Sequence, residues 1–271
     1  MKFQYISDTH LERFTISPKN IIQKINGCEN ICLLGDIGSP GTDIYNRFID
    51  YCSITWKNVF LLYGNHEYYQ TNKNSLAIKT MKNIDDLSNK LPQNVYFLND
   101  NYVYINKLTN DVKIQLKEQD SLKDYIKIIG SLLWSDIEIK ISYLMNDYKY
   151  IYTSENIKLT PIQTKQFFQE SKTYILNQLK EDIQCILLTH HGAHELSNGW
   201  YQGNFMSSGY ATNIPELLMF NNLIACINGH THSSINTNIP NTSIKLLSNC
   251  YGYKGENKKI INFNPNAILE F

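Results

Sequence analysis

The feature that most constrains this chain is a pattern used five times: a short apolar run that stops at once on a cluster of aspartate, asparagine or histidine. KFQYIS leads into Asp8-Thr9-His10, NICLLG into Asp36, and VFLLYG into Asn65-His66-Glu67. QCILLT precedes His190-His191, and LIACING precedes His230-Thr231-His232. Runs this apolar read as strands covered on both faces. Each polar cluster then emerges at the carboxyl end of its strand, where α/β sheets place their sites.

Amphipathic stretches lie between several of the runs. A proline-marked helix is expected from Pro18 to about Ile25. Asp43 to about Ile54 places Ile44, Phe48 and Tyr51 on one face, with Ile54 extending the stripe. Asn74 to about Lys90 repeats the pattern with Leu76, Ile84 and Leu87. A longer helix from Thr160-Pro161 to about Lys180 would bury Ile162, Phe167, Ile175 and Leu179. Between Asn94 and Trp134 the segments VYFLN, YVYIN, VKIQL and KIIGSLLW predict successive strands, and the tail adds KLLSN, KIINF and AILEF. With no repeat, linker or low-complexity break, residues 1–271 read as one α/β domain with two sheets.

Composition excludes several classes. Lys plus Arg and Asp plus Glu both number 25, so the basic excess of a dedicated duplex binder is missing. No stretch approaches the ~20 apolar residues of a membrane span. The first apolar run is already a strand followed by Asp8 and His10, and it does not read as a signal peptide. The six cysteines (28, 32, 52, 185, 226 and 250) form no CxxC pair, and Cys32, Cys185 and Cys226 sit in apolar runs, as reduced structural thiols do. The expectation is a soluble, cytoplasmic protein with no membrane partner.

Asp8-Thr9-His10 and His230-Thr231-His232 each place two donors at i and i+2, which share a side in an extended chain. Either tripeptide alone is a weak signal. Together they are not, because six of the seven histidines fall in strand-end clusters. Glycines precede Asp36, Asn65 and His230, where a sharp turn or close backbone approach lets the next residue face the crevice. Carboxylate and amide oxygens mixed with imidazoles suit Mn, Fe or Zn rather than the all-oxygen shell of Ca.

SDTH, GDIG, GNHE, THHG and GHTH, in that order, resemble the motifs of the calcineurin-like metallophosphoesterases. SDTHLE, GNHEYY, a GxxLW stretch (Gly130 to Trp134) and a late NxxGY stretch (Asn249 to Tyr253) extend the likeness to one subgroup. The resemblance implies a four-layer α/β/β/α sandwich of two mixed sheets flanked by helices. It also implies two divalent metal ions: Asp8, His10 and His232 on one, Asn65, His190 and His230 on the other, and Asp36 bridging. His66 would then protonate the leaving oxygen or hold the phosphate, and His191 would face substrate or support the ligands.

Two such ions, roughly 3.5–4 Å apart, would neutralise the clustered carboxylates and provide a bridging hydroxide to attack phosphorus. The implied substrate is a phosphomonoester or phosphodiester of a small molecule or nucleotide. A nuclease or RNA-processing phosphodiesterase, with nucleic acid as partner, is the enzymatic alternative, and a metal-free scaffold the non-enzymatic one. His194, Trp200, Tyr201, Tyr210 and Asn213 could frame a base or ring, while Glu67, Tyr68 and Tyr69 would support the third motif. The chain departs from the family pattern at Gly192-Ala193, where proline is common, and around Cys250, where the subgroup prefers a proline and a basic residue.

Overall fold

The computed structural model describes residues 1–13, 16–70, 79–256 and 262–271. Numbered in chain order, strands β1 (Lys2–Ile6), β2 (Asn30–Leu34), β3 (Asn58–Leu62) and β4 (Val95–Phe97) run parallel in one sheet. β14 (Ile268–Glu270) pairs antiparallel with β1 at its edge. In the second sheet β7 (Tyr125–Ser131), β10 (Cys185–Thr189), β11 (Leu223–Asn228) and β13 (Lys245–Ser248) are parallel. Antiparallel β5 (Asn101–Asn106), β6 (Val112–Lys113) and β12 (Ile235–Asn238) complete its order, β12-β13-β11-β10-β7-β5-β6. β8 (Tyr152–Ser154) and β9 (Ile157–Lys158) form a separate ribbon.

Strand alternation explains the layering. Phe3, Tyr5, Cys32, Leu34, Phe60 and Leu62 of the first sheet meet Ile126, Ile128, Ile186, Leu188 and Ile227 of the second in one buried cluster. The intervening residues point outward to helices. Ile31, Leu33, Val59 and Leu61 belong to the cluster that contains Phe48, Ile49 and Cys52 of α2 (Asp43–Thr55). That cluster also holds Ile129 and Leu187 with Phe168, Ile175 and Leu179 of the α5 region (Pro161–Gln178). The result is the four-layer α/β/β/α sandwich. The six cysteines are buried free thiols.

Helix starts follow local chemistry, and the described residues also include three shorter helices: α1 (Pro18–Ile21), α3 (Met81–Asp85) and α4 (Asp147–Tyr150). Thr42 caps α2 by accepting from the Tyr45 N–H, and Thr160 and Gln163 form a capping box before α5. Two expected core positions are overturned. Ile54 is 87% exposed and Ile162 is 71% exposed. The buried stripe of α2 is Tyr45, Phe48, Ile49 and Cys52, and that of α5 is Thr164, Phe168, Ser171 and Ile175. Ile54 and Ile162 each lie two residues from a stripe member, about 200° around the helix at 3.6 residues per turn.

α1 is also shorter than its pattern suggests. Buried Gln4 accepts from the Ile25 N–H (3.2 Å) and donates to the Gln23 carbonyl (2.8 Å), drawing that segment out of the helix. Of the expected helix from Asn74, residues 74–78, including Leu76, lie outside the described residues. Ile84 is buried in α3, and a 3₁₀ turn carries the chain from Asp86 to Lys90. Residues 259–261 of KIINF likewise lie outside the described residues.

Candidate metal centre

All five polar clusters stand at the carboxyl edge of the two sheets, and their backbones are unusual. Asp8 (φ 54°), His10 (46°), Asp36 (52°), His230 (71°) and His232 (50°) occupy the left-handed region. The two x-Thr-x pairs therefore do not share a side through extended alternation; a left-handed backbone turns both donors inward. Such conformations cost about 1 kcal/mol each for residues with a Cβ, and the surroundings hold them. The Asp8 and His10 N–H groups donate to the carbonyls of Gly35 (3.0 Å) and Asp36 (2.9 Å).

Glu67 fixes the next loop. Its carboxylate accepts from the N–H groups of Gly64 (2.7 Å), Asp36 (2.8 Å) and Ile37 (2.7 Å). Burial, reinforced by Asp36, pushes this carboxyl up to about 8. Its hydrogen-bond partners are nonetheless backbone N–H donors, so an acid proton would find no acceptor among them and the ionised form fits the geometry. Close approach does the rest. A Cβ on Gly64 would lie 2.3 Å from Asp36 Oδ1 and 2.6 Å from His190 Nε2, which no side chain tolerates.

The donors converge as two groups. Ligand atoms of Asp8, His10 and His232 lie within 4.8 Å of one another, as do those of Asp36, His190 and His230. Asn65 joins the second group, its Oδ1 3.1 Å from His190 Nε2. Asp36 reaches both, with Oδ1 3.4 Å from His190 Nε2 and Oδ2 3.9 Å from His10 Nε2. A third cluster of His10, Glu12 and His66 shares a member with the first.

Outer partners set the imidazole tautomers. Nδ1 of His10 faces Glu12 (3.1 Å), Nδ1 of His232 faces Glu256 (2.8 Å), and Nδ1 of His190 faces the Leu34 carbonyl (2.8 Å). Each acceptor holds the ring proton on Nδ1, leaving the Nε2 lone pair for the site. The Nε2 atoms of His10 and His232 consequently meet at 3.0 Å. Two lone pairs at that distance require a proton or a metal ion between them. Although burial opposes its charge, Asp8 and Glu256 push His232 up to about 10. His230 Nε2 is buried with no hydrogen-bond partner. Mixed oxygen and imidazole donors of this kind fit divalent transition metals.

Asn65 is oriented in the same way. Its Nδ2 donates to Asp147 (2.7 Å), which also accepts from the Tyr69 hydroxyl (2.8 Å), so the amide oxygen turns toward His190. Asp147 and Glu256 gave no signal in the sequence, because neither belongs to a motif and both are far along the chain from the donors they steer. Glu12 was visible only as a letter of SDTHLE.

His66 lies half-buried at the crevice, stacked on Tyr69 (4.1 Å, 24°), with Nε2 3.2 Å from the Tyr253 hydroxyl and Nδ1 3.5 Å from Glu12. Burial works against its charge, but Asp36, Glu12 and Asp147 outweigh it and raise the imidazole above its usual value. His191 is different. It is 1% exposed and packs on His230 (4.0 Å) and Trp134 (5.5 Å), and burial pushes it down to about 3. Its ring lies against His230. Tyr201 and Tyr210 line the crevice, as do Leu144, Met145 and Met206. His194 instead accepts from the Leu196 N–H, Trp200 is largely exposed, and Asn213 lies on the surface.

The family model for calcineurin-like phosphoesterase matches residues 1–234. The chain belongs to the calcineurin-like phosphoesterase family. Protein L509 of Acanthamoeba polyphaga mimivirus, itself uncharacterized, is 32% identical over 292 residues, covering 98% of this chain and 95% of that protein. Among solved structures, the phosphopantetheinyl hydrolase of Mycobacterium tuberculosis superposes with a TM-score of 0.67 at 15% identity. That match covers 93% of this chain and 89% of the hydrolase, and it shows a shared fold. The calcineurin-like fold thus accounts for the two sheets and for the edge on which the donors gather. No helix among the described residues is long and apolar enough to cross a membrane.

Proposed function

We propose that residues 1–271 act as one domain that hydrolyses a phosphate ester of a small molecule, a monoester or diester, using two divalent transition metal ions. Asp8, His10 and His232 would hold one ion, Asn65, His190 and His230 the other, and Asp36 both. Mn, Fe and Zn all suit these donors. When bound, the ions supply Lewis acidity and hydroxide from water near neutral pH.

The chain's own residues do the rest. Glu12, Glu256 and Leu34 keep three imidazoles in the tautomer that offers Nε2. Asp147 aims the Asn65 oxygen. His66, held at Nδ1 by Glu12, presents Nε2 beside Tyr253 at the crevice and can hand a proton to the departing alkoxide. His191 supports His230 from behind.

The observation that carries this reading is the 3.0 Å approach of the His10 and His232 Nε2 atoms, with both Nδ1 atoms engaged by carboxylates. The test is turnover of p-nitrophenyl phosphate and bis-p-nitrophenyl phosphate with added Mn, together with metal content, for wild type and Asp36→Asn. Metal-dependent turnover that the variant lacks supports the proposal. Absence of both bound metal and turnover in wild type overturns it in favour of a scaffold. Cleavage of single-stranded or branched RNA far faster than either ester would favour the nuclease alternative.

A further inference from the structure

Resting on the phosphoester-hydrolase reading, we infer that the crevice selects esters whose alcohol carries an uncharged flat or apolar group. Leu144, Met145, Tyr201, Met206 and Tyr210 would be the residues that recognise it. The lining divides by chemistry. One part is Asp36, Asn65, His66, His230, His232 and Glu256, with Tyr69 and Tyr253 beside it; the other is those five side chains, with the polar Asn146 next to Met145. They begin at the metal centre itself, since the Tyr210 ring lies 5.2 Å from the His230 ring. An ester alcohol directed toward Tyr210 would meet this wall within its first few atoms.

The wall has its own support. Ile137, Ile141 and Met145 form a small hydrophobic cluster separate from the two large ones, with Leu144, Met206 and Tyr210 packed against it. Tyr201 and Tyr210 stack at 4.0 Å and 17°, a preformed flat surface that needs little ordering on binding. Its loop is clamped to the metal-donor turn: the Trp200 N–H donates to Ser233 Oγ (3.2 Å). At Gly199 (φ 50°) a Cβ would lie 2.4 Å from that same hydroxyl. The two halves of the crevice are therefore held in fixed register.

Charge and size narrow the class. No Lys or Arg is among the described lining residues, whereas Asp36 and Glu256 are. Among the described lining residues, a second anionic group on the alcohol would face the Asp36 and Glu256 carboxylates, with Arg13 outside the lining, over the Tyr253 ring at 4.2 Å. The cavity volume is about 160 Å³, and a water molecule takes about 30 Å³. That space accommodates a phosphoryl group with a ring or short chain.

The test compares benzyl phosphate with ethyl phosphate in the Mn-loaded enzyme, since both release simple alkoxides and differ chiefly in the ring. Burying a ring favours the benzyl ester by about 10-fold or more in kcat/KM. Tyr201→Ala and Met206→Ala should each pull that ratio toward one. Benzylphosphonate should raise the melting temperature of the loaded protein more than ethylphosphonate does. Equal or reversed preference, or a ratio unmoved in both variants, overturns the inference. So does failure to turn over either ester while p-nitrophenyl phosphate is hydrolysed. Loss of p-nitrophenyl phosphate turnover as well would overturn the underlying hydrolase reading.

Discussion

The two donor groups differ more than their symmetric motifs suggest. Around Asp8, His10 and His232 the outer partners are carboxylates, Glu12 and Glu256, so three acids surround one pair of imidazole Nε2 atoms. Around Asn65, His190 and His230 the outer partners are a backbone carbonyl, Asp147 acting through an amide, and the neutral ring of His191. The first group is rich in negative charge and reaches solvent at His232; the second is almost entirely buried. Similar ligands held by different outer partners should bind cations unequally, with the first group the tighter.

Asp36 should have the largest effect, because its carboxylate lies near ligand nitrogens of both groups. Asp36→Asn removes one carboxylate charge from each and should lower kcat by about 10³-fold or more, the equivalent of several kcal/mol of metal-derived stabilisation. Metal analysis should show loss from both positions. Retention of two tightly held ions would break the idea that the groups are joined at this residue.

The next effects should separate the groups. Glu256→Gln or Glu12→Gln should weaken metal binding at the first group by about 10–100-fold and leave the second step of a metal titration in place. Asp147→Asn should do the converse by about 10-fold, because the Asn65 amide loses its orienting acceptor. Equal weakening of both steps by every variant would mean that the two groups behave as one.

The sequence revealed these groups unevenly, for physical reasons. Parallel strands covered on both faces leave a mostly apolar signal, and the donors follow directly, so β1, β2, β3, β10 and β11 and their clusters were visible. The glycines before Asp36, Asn65 and His230 were legible as well: Cβ atoms there would collide with His190, Asp36 and Asp8. What was not visible is long-range. Asp147 acts on Asn65 from 82 positions away. Glu256 lies 24 residues beyond His232. Helix stripes were overextended at Ile54 and Ile162, since periodicity alone does not show where a helix turns from the core. The apolar wall at Met145 and Met206 left no motif either, because shape recognition needs no fixed residue type.

The adjacent histidines sharpen the contrast at its finest scale and give the smallest expected effect. His190 touches Asp36, Asn65 and the Leu34 carbonyl, so every nitrogen is committed. His191 sits one residue on, packed between His230 and Trp134, with Nδ1 buried and unpartnered. Phenylalanine at 191 nearly preserves the ring's shape and removes that unmet polar atom, which burial makes costly by about 1–3 kcal/mol. His191→Phe should therefore keep both metals, turn over within about threefold of wild type by the loss of a weak support alone, and unfold no earlier on heating. His190→Phe should lose metal at the second group and nearly all activity. If His191→Phe instead sheds metal while His190→Phe keeps it, the assignment of the pair is reversed, and the second group must be rebuilt around His191.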